Sequence, residues 1–300
     1  MTSRSTSIDH RDATGEVFDL GYRPYEGERE GRVVALRAIW RDSIRASLGL
    51  GRSLTSKLLP IGIIGIVFFP AVIMMVIIGF VSSFGGDVEE FGLPTNDEYY
   101  EFAWAPLMLF AAALGPEMLC LDRRSNVLVL YLVRPLTVLD YLLSRWLGFF
   151  TVSLAILWLP QLLLFATRAM TAGNPVEWLS DHPWLLPQIA VSGFALAALL
   201  TSVALAVSSF TDRRPYAAAT ILGLLIGSIV VGGISSEIAQ GTTSDVLLLI
   251  SAVESFFRVN DLIFQRGGGA LPDWVYVGHL AGIVAVGWAV LWWRYRGAAS

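Results

Sequence analysis

The chain has 300 residues, 55% hydrophobic and only 15% charged, with a formal net charge of −4. Ordinary soluble domains carry roughly 25% charged residues, and their cores show short apolar runs with a polar face. Here the apolar excess falls in blocks of about twenty residues, the length a bilayer demands of a helix, which argues against a soluble enzyme or a nucleic-acid-binding module.

Residues 1–30 are polar, contain no apolar signal core, and read as a cytoplasmic N-terminal segment. Residues 31–57 predict an amphipathic helix. Val33, Leu36, Trp40, Ile44 and Leu48 recur at helical spacing beside Arg37, Arg41 and Arg45. An apolar stripe beside a basic one describes a helix lying in the membrane interface; the alternative is an amphipathic helix packed on protein. Residues 58–300 form the transmembrane region. Its spans are expected at about 58–81, 102–121, 142–166, 185–210, 217–234 and 274–293, with a kink in the first from Pro60 and Pro70. In lipid, backbone groups must be satisfied within the segment, so these blocks are helices. The fold class is an all-α polytopic membrane protein.

Three connections carry information. The first, 82–101, holds Asp87, Glu89, Glu90, Asp97, Glu98 and Glu101 and no base. The second, 122–141, is polar with a short apolar piece; Thr137 is placed to cap the next helix and Asp140 to favour its first turn. The third contains 246–264, apolar enough to tempt a seventh span. Glu254, Arg258, Asn260 and Asp261 interrupt it, and a charge at a span's centre costs about 2.5–3.5 kcal/mol. Glu254 and Arg258 stand four apart, spaced to pair on one helical face. Re-entrant or surface helices are therefore expected between spans five and six.

Eighteen of the 21 bases fall before span one, between or beside spans two and three, between spans four and five, or after span six; Arg168, Arg258 and Arg266 are the exceptions. Positive charge stays cytoplasmic, so both termini are expected inside. With arginine in place of lysine almost throughout, the composition suggests a bacterial plasma-membrane protein.

Lys57 is the sole lysine and stands in Ser56-Lys57-Leu58, so there is no phosphate-binding loop of the Gly-x-x-x-x-Gly-Lys type. His10, His182 and His279 lack metal-ligand spacing, and no catalytic or metal residue is expected. Cys120 is alone in an apolar block and reads as a small hydrophobe. Glu117 is the candidate intramembrane polar site, near the cytoplasmic end of span two and within reach of Arg123 or Arg124. Spans this poor in ionisable groups imply that energy comes from another subunit.

The run Asp122-Arg123-Arg124, a leucine-rich stretch, then Arg134-Pro135-Leu136-Thr137-Val138-Leu139-Asp140-Tyr141 resembles the permease subunits of type-2 ABC transporters (the ABC-2 family). In that family the stretch reads acid–Arg, a leucine-rich segment, then (Arg/Ser)-Pro-x-(Ser/Thr)-Arg-x-(Glu/Asp)-Tyr/Leu. Val138 departs from it, standing where a base is frequent. Gly21-Tyr22-Arg23-Pro24-Tyr25-Glu26-Gly27 is similar to the lead-in of some prokaryotic members. The resemblance implies a non-catalytic exporter subunit without a cofactor of its own. ATP and Mg would be bound by a separate ATPase, present in two copies beside a second permease chain, identical or homologous. It implies that Asp122, Arg123, Arg124, Arg134, Pro135, Asp140 and Tyr141 couple to that ATPase, and that Arg37, Trp40, Arg41 and Arg45 belong to a connecting helix among membrane lipids. Glu254 and Arg258 would lie on outer re-entrant helices. The competing reading is an ATP-independent secondary carrier or membrane-embedded enzyme.

Overall fold

The computed structural model describes residues 31–50, 54–86, 95–125, 136–238, 242–267 and 269–298. Among these there is no strand. The helices are α1 (Arg32–Ser47), α2 (Leu54–Ser83), α3 (Tyr99–Arg124), α4 (Val138–Thr171), α5 (Pro175–Asp181), α6 (Leu185–Ser208), α7 (Arg214–Ile238), α8 (Thr242–Leu248), α9 (Ala252–Ile263) and α10 (Asp273–Tyr295).

Six of them, α2, α3, α4, α6, α7 and α10, are long and apolar enough to cross a membrane. The shortest, α10, has 23 residues. At 1.5 Å per residue it is about 35 Å long, more than the roughly 30 Å hydrocarbon core. The protein is an all-α polytopic membrane protein. The stretch at 246–264 does not add a crossing: α8 and α9 have 7 and 12 residues, divided at Ser251, whose side chain caps α9 by accepting from the Glu254 N–H. The loop expected at 168–183 contains the one-turn-and-more helix α5, started by Asn174 as cap and Pro175 in the first turn.

α6 is the axis of the bundle. Inside the described structure 72% of its membrane window is buried, against 22% for α7 and for α10. α3 and α4 flank α6, while α2, α7 and α10 line the outside with apolar side chains such as Phe69, Val76, Phe80, Val230, Ile234 and Val286 turned outward. Outward apolar residues are what lipid requires, so the helices must associate by close fit instead of by expulsion from water. Small residues supply it. A Cβ added at Gly115 on α3 would stand 2.7 Å from the Ala204 Cβ on α6, too near for any side chain. Aromatic rings fill the wider gaps: Phe110 stacks on Phe149 and Trp146 on Phe150, with centroids 5.4 and 4.8 Å apart.

Prolines sit inside the spans, including Pro60 and Pro70 in the continuous helix α2. Proline cannot donate and crowds the preceding turn; beside Pro70, Tyr99 on α3 supplies the Val67 carbonyl with a hydroxyl at 2.7 Å.

The crossings alternate, so the bundle has two distinct ends. One gathers α1, the end of α3, the start of α4, the turn between α6 and α7, and the end of α10. The other gathers the start of α3, α5, the start of α6, α8 and α9. There Asn96 and Gln161 exchange hydrogen bonds, and Asn260 on α9 donates to the Asp97 carbonyl while accepting from Ser192 on α6.

Candidate functional site: a charged junction beside helix α1

α1 begins beside α4 and runs across its first turns. Its contact edge is Ile39, Ser43 and Ser47. Ser43 and Ser47 return their hydroxyls to the Ile39 and Ser43 carbonyls, each at 2.8 Å, which leaves a narrow, satisfied surface. Gly148 on α4 accepts that surface: a Cβ there would lie 2.3 Å from the Ser43 Cβ. The expected apolar stripe is divided. Leu36, Ile44 and Leu48 pack against the core, Trp40 donates its indole N–H to Thr151 Oγ1 at 3.2 Å, and Val33 is exposed. Much of α1's apolar face therefore packs on protein, while Arg37, Arg41 and Arg45 remain exposed.

Where α1, α3 and α4 meet, Arg145 is buried two turns into α4. Its Nη1 donates to Asp42 Oδ2 on α1 at 2.9 Å and to Ser43 Oγ at 3.2 Å. Its Nη2 donates to Asp122 Oδ2 at the end of α3, at 2.6 Å. The same carboxylate oxygen accepts from the Tyr141 hydroxyl at 2.7 Å. A buried guanidinium persists only if paired, and this one ties three helices together. One turn earlier, Thr137 caps α4 and Asp140 stands in its first turn, as expected, and the two go further by forming a reciprocal capping box. Asp140 also accepts a two-pronged contact from Arg32, the first residue of α1: Nε to Oδ2 at 2.9 Å and Nη2 to Oδ1 at 2.7 Å.

Three of the residues singled out in the sequence, Asp122, Asp140 and Tyr141, thus converge. The others diverge. Arg123 turns to the Ser209 carbonyl at the end of α6, and Arg124 is exposed. Glu117 forms an ion pair with Arg214 at the start of α7, at 2.9 Å, because α7 begins directly across from that turn of α3. Arg134, Pro135 and all of 1–30 lie outside the described residues. Arg145, the centre of the junction, stands in the sequence only as one base at the cytoplasmic start of the expected span three. The available signal was its position inside a predicted span, where a charge requires a partner.

At the other end, Arg258 reaches across to Asp245 on α8 at 3.8 Å instead of closing a simple pair along α9, and Tyr276 donates its hydroxyl to Asp245 at 2.8 Å. Burial alone would push the Asp245 carboxyl up, but Tyr276, the Ala270 N–H and Arg258 together hold it below the usual carboxylate range. Burial pushes Glu254 up, and the opposing charge of Arg258 does not cancel it.

The fold and this junction define a class: a polytopic helical membrane protein whose first helix, α1, is held by ion pairs to the start of its third span, which is itself paired through Arg145 to the end of the second. No protein-family model matches the chain, and no curated protein matches it.

Proposed function

We propose that the chain is the permease subunit of an ABC-2 type exporter in a bacterial plasma membrane, with both termini cytoplasmic. Transport of an amphiphilic or lipid-like substrate is driven by ATP hydrolysed in a separate subunit. The observation that carries this reading is the junction itself. Residues 126–135 join the two helices whose ends it ties, and Arg32–Asp140 and Asp42–Arg145–Asp122 fasten α1 to both. Force applied by an ATPase to that connection would move α1, α3 and α4 as one body. A flexible cytosolic loop would dissipate the same force.

The uneven charge supports the orientation, since the end holding the junction also carries Arg123, Arg124, Arg213, Arg214, Arg294 and Arg296. The Asp122-Arg123 and Arg134-Pro135 to Tyr141 pattern supports the family, and the short helices α8 and α9 at the opposite end agree with outer re-entrant elements. The assembly would hold two such chains and two ATPases.

The test is affinity purification from native membranes. A cassette ATPase should co-purify, and the chain alone should hydrolyse no ATP. Repeated isolation without any ATPase would overturn the proposal. Orientation is tested separately in a Cys120→Ala background: Asp212→Cys should react with an impermeant maleimide only after permeabilisation, and Asp181→Cys in intact cells. The reverse pattern would invert the topology.

A further inference from the structure

The junction end of the bundle has a second feature, which shares only Arg124 with the residues that the family resemblance assigns to coupling. Between the end of α3 and the turn joining α6 to α7 lies a cavity of about 650 Å³, lined by Cys120, Leu121, Arg124, Asp212, Arg213, Arg214, Pro215 and Tyr216. That volume falls within the range of small-molecule sites, roughly 300–1,000 Å³.

The walls are held in place. Cys120 Sγ lies 3.2 Å from the Thr211 carbonyl and 3.6 Å from that of Ser208. Arg123 donates to the Ser209 carbonyl, and Arg214 is paired with Glu117. The turn is therefore fastened to α3 at three places. Its charges are not spent in the same way. Among the described residues, Arg124 and Arg213 have no carboxylate partner; Arg213 lies over the Tyr216 ring at 5.8 Å. Asp212 is the single acid among the described residues of the lining, and it is exposed. Two free guanidinium groups facing one fixed cavity suit an anion with several oxygens, and phosphate matches the arginine fork best.

The cavity opens where α3 and α6 end and α7 begins. Leu121 in its wall and Phe210 beside it are exposed apolar residues, 41% and 56% exposed. A free phosphate would have no use for them, whereas an acyl chain would lie along them. We propose that this cavity binds the phosphate of an anionic phospholipid headgroup, through Arg124 and Arg213, with Tyr216 at the rim. Basic pockets between spans are known places for such headgroups. The proposal stands on the membrane fold and does not require an ATPase partner.

The test uses the purified full chain in detergent, with phosphatidylglycerol or phosphatidylcholine added at equal concentration and bound lipid read by native mass spectrometry. Phosphatidylglycerol should be retained at least tenfold over phosphatidylcholine. Retention should fall at least tenfold in Arg124→Gln/Arg213→Gln and survive in Arg124→Lys/Arg213→Lys. Removing a base at the opposite end of the bundle, in Arg168→Gln, should leave it unchanged. If millimolar inorganic phosphate displaces the lipid with the same arginine dependence, the phosphate site is upheld and a soluble anion becomes its alternative source. Equal retention by the wild type and the glutamine pair would overturn the site. Should that pair fold poorly, Asp212→Arg adds a charge at an exposed position and must raise retention; no rise overturns it as well.

Discussion

Replacing Arg145 with methionine should be among the most damaging single changes in the protein. The Arg145 side chain is 5% exposed, and its partner Asp122 is 11% exposed, whereas Asp42 is 60% exposed. Without Arg145, Asp122 keeps the Tyr141 hydroxyl but becomes a buried carboxylate without its cation. Breaking one side of a buried pair costs about 3–5 kcal/mol, a change of roughly 10²- to 10⁴-fold in the folding equilibrium. Asp42→Ala removes a mostly hydrated partner and should cost about 1 kcal/mol or less. Replacing both buried charges, Arg145→Met with Asp122→Leu, should recover a large part of the loss, because the desolvation of both ions disappears with them. The assay is reversible unfolding in mixed detergent micelles with increasing sodium dodecyl sulfate, run as a double-mutant cycle. A coupling energy between Arg145 and Asp122 no larger than that between Arg145 and Asp42 would refute the reasoning.

Gly148→Ala should cost about 1–3 kcal/mol by forcing α1 off α4, and Ser43→Gly should restore part of it, read in the same unfolding assay. Under the proposed function, Arg32→Asp and Asp140→Arg should each weaken ATP-driven transport while the protein still reaches the membrane, and the exchanged pair should recover; failure of the exchange to improve on Asp140→Arg would show that the capping role of Asp140 dominates. At the other end, pH separates two carboxylates. Asp245 has a lowered folded-state value, so its contribution is complete above the ordinary aspartate value and is lost as pH falls through the folded one. The stability gap between wild type and Asp245→Asn should therefore narrow on acidification. Glu254 has a raised value, so its charge opposes folding once pH rises above the ordinary glutamate value; Glu254→Gln should stabilise the protein near neutral pH and do little in acid. Melting curves across pH 3–7 check both, and parallel pH dependence in the two variants would contradict the assigned environments.

Much of the architecture is legible in the amino-acid order because a bilayer tests each segment separately. Every apolar block must satisfy its own backbone and meet lipid, so six spans and the rejection of a seventh follow from local composition. Boundaries are less local. α4 extends over Val138–Thr171, beyond the expected 142–166, because a capping box at Thr137 and partners for Asp140 and Arg145 let polar turns continue the helix. α7 starts at Arg214, where Pro215 suits a first turn and Glu117 neutralises the arginine.

The junction belongs to the tertiary structure. Arg145 meets Asp122 and Asp42 across 23 and 103 positions, and Arg32 meets Asp140 across 108. By itself, the sequence determined where the chain is helical, which segments enter lipid, and that Thr137 and Asp140 begin a helix. Only the packed bundle decided which charges pair, which face of α1 is covered, and that Arg124 and Arg213 share a cavity. Helix formation and insertion are governed by neighbours three or four residues away. Ion pairing depends instead on which helices approach closely enough to exclude water, and glycines such as Gly115, against Ala204, and Gly148, against Ser43, set that approach.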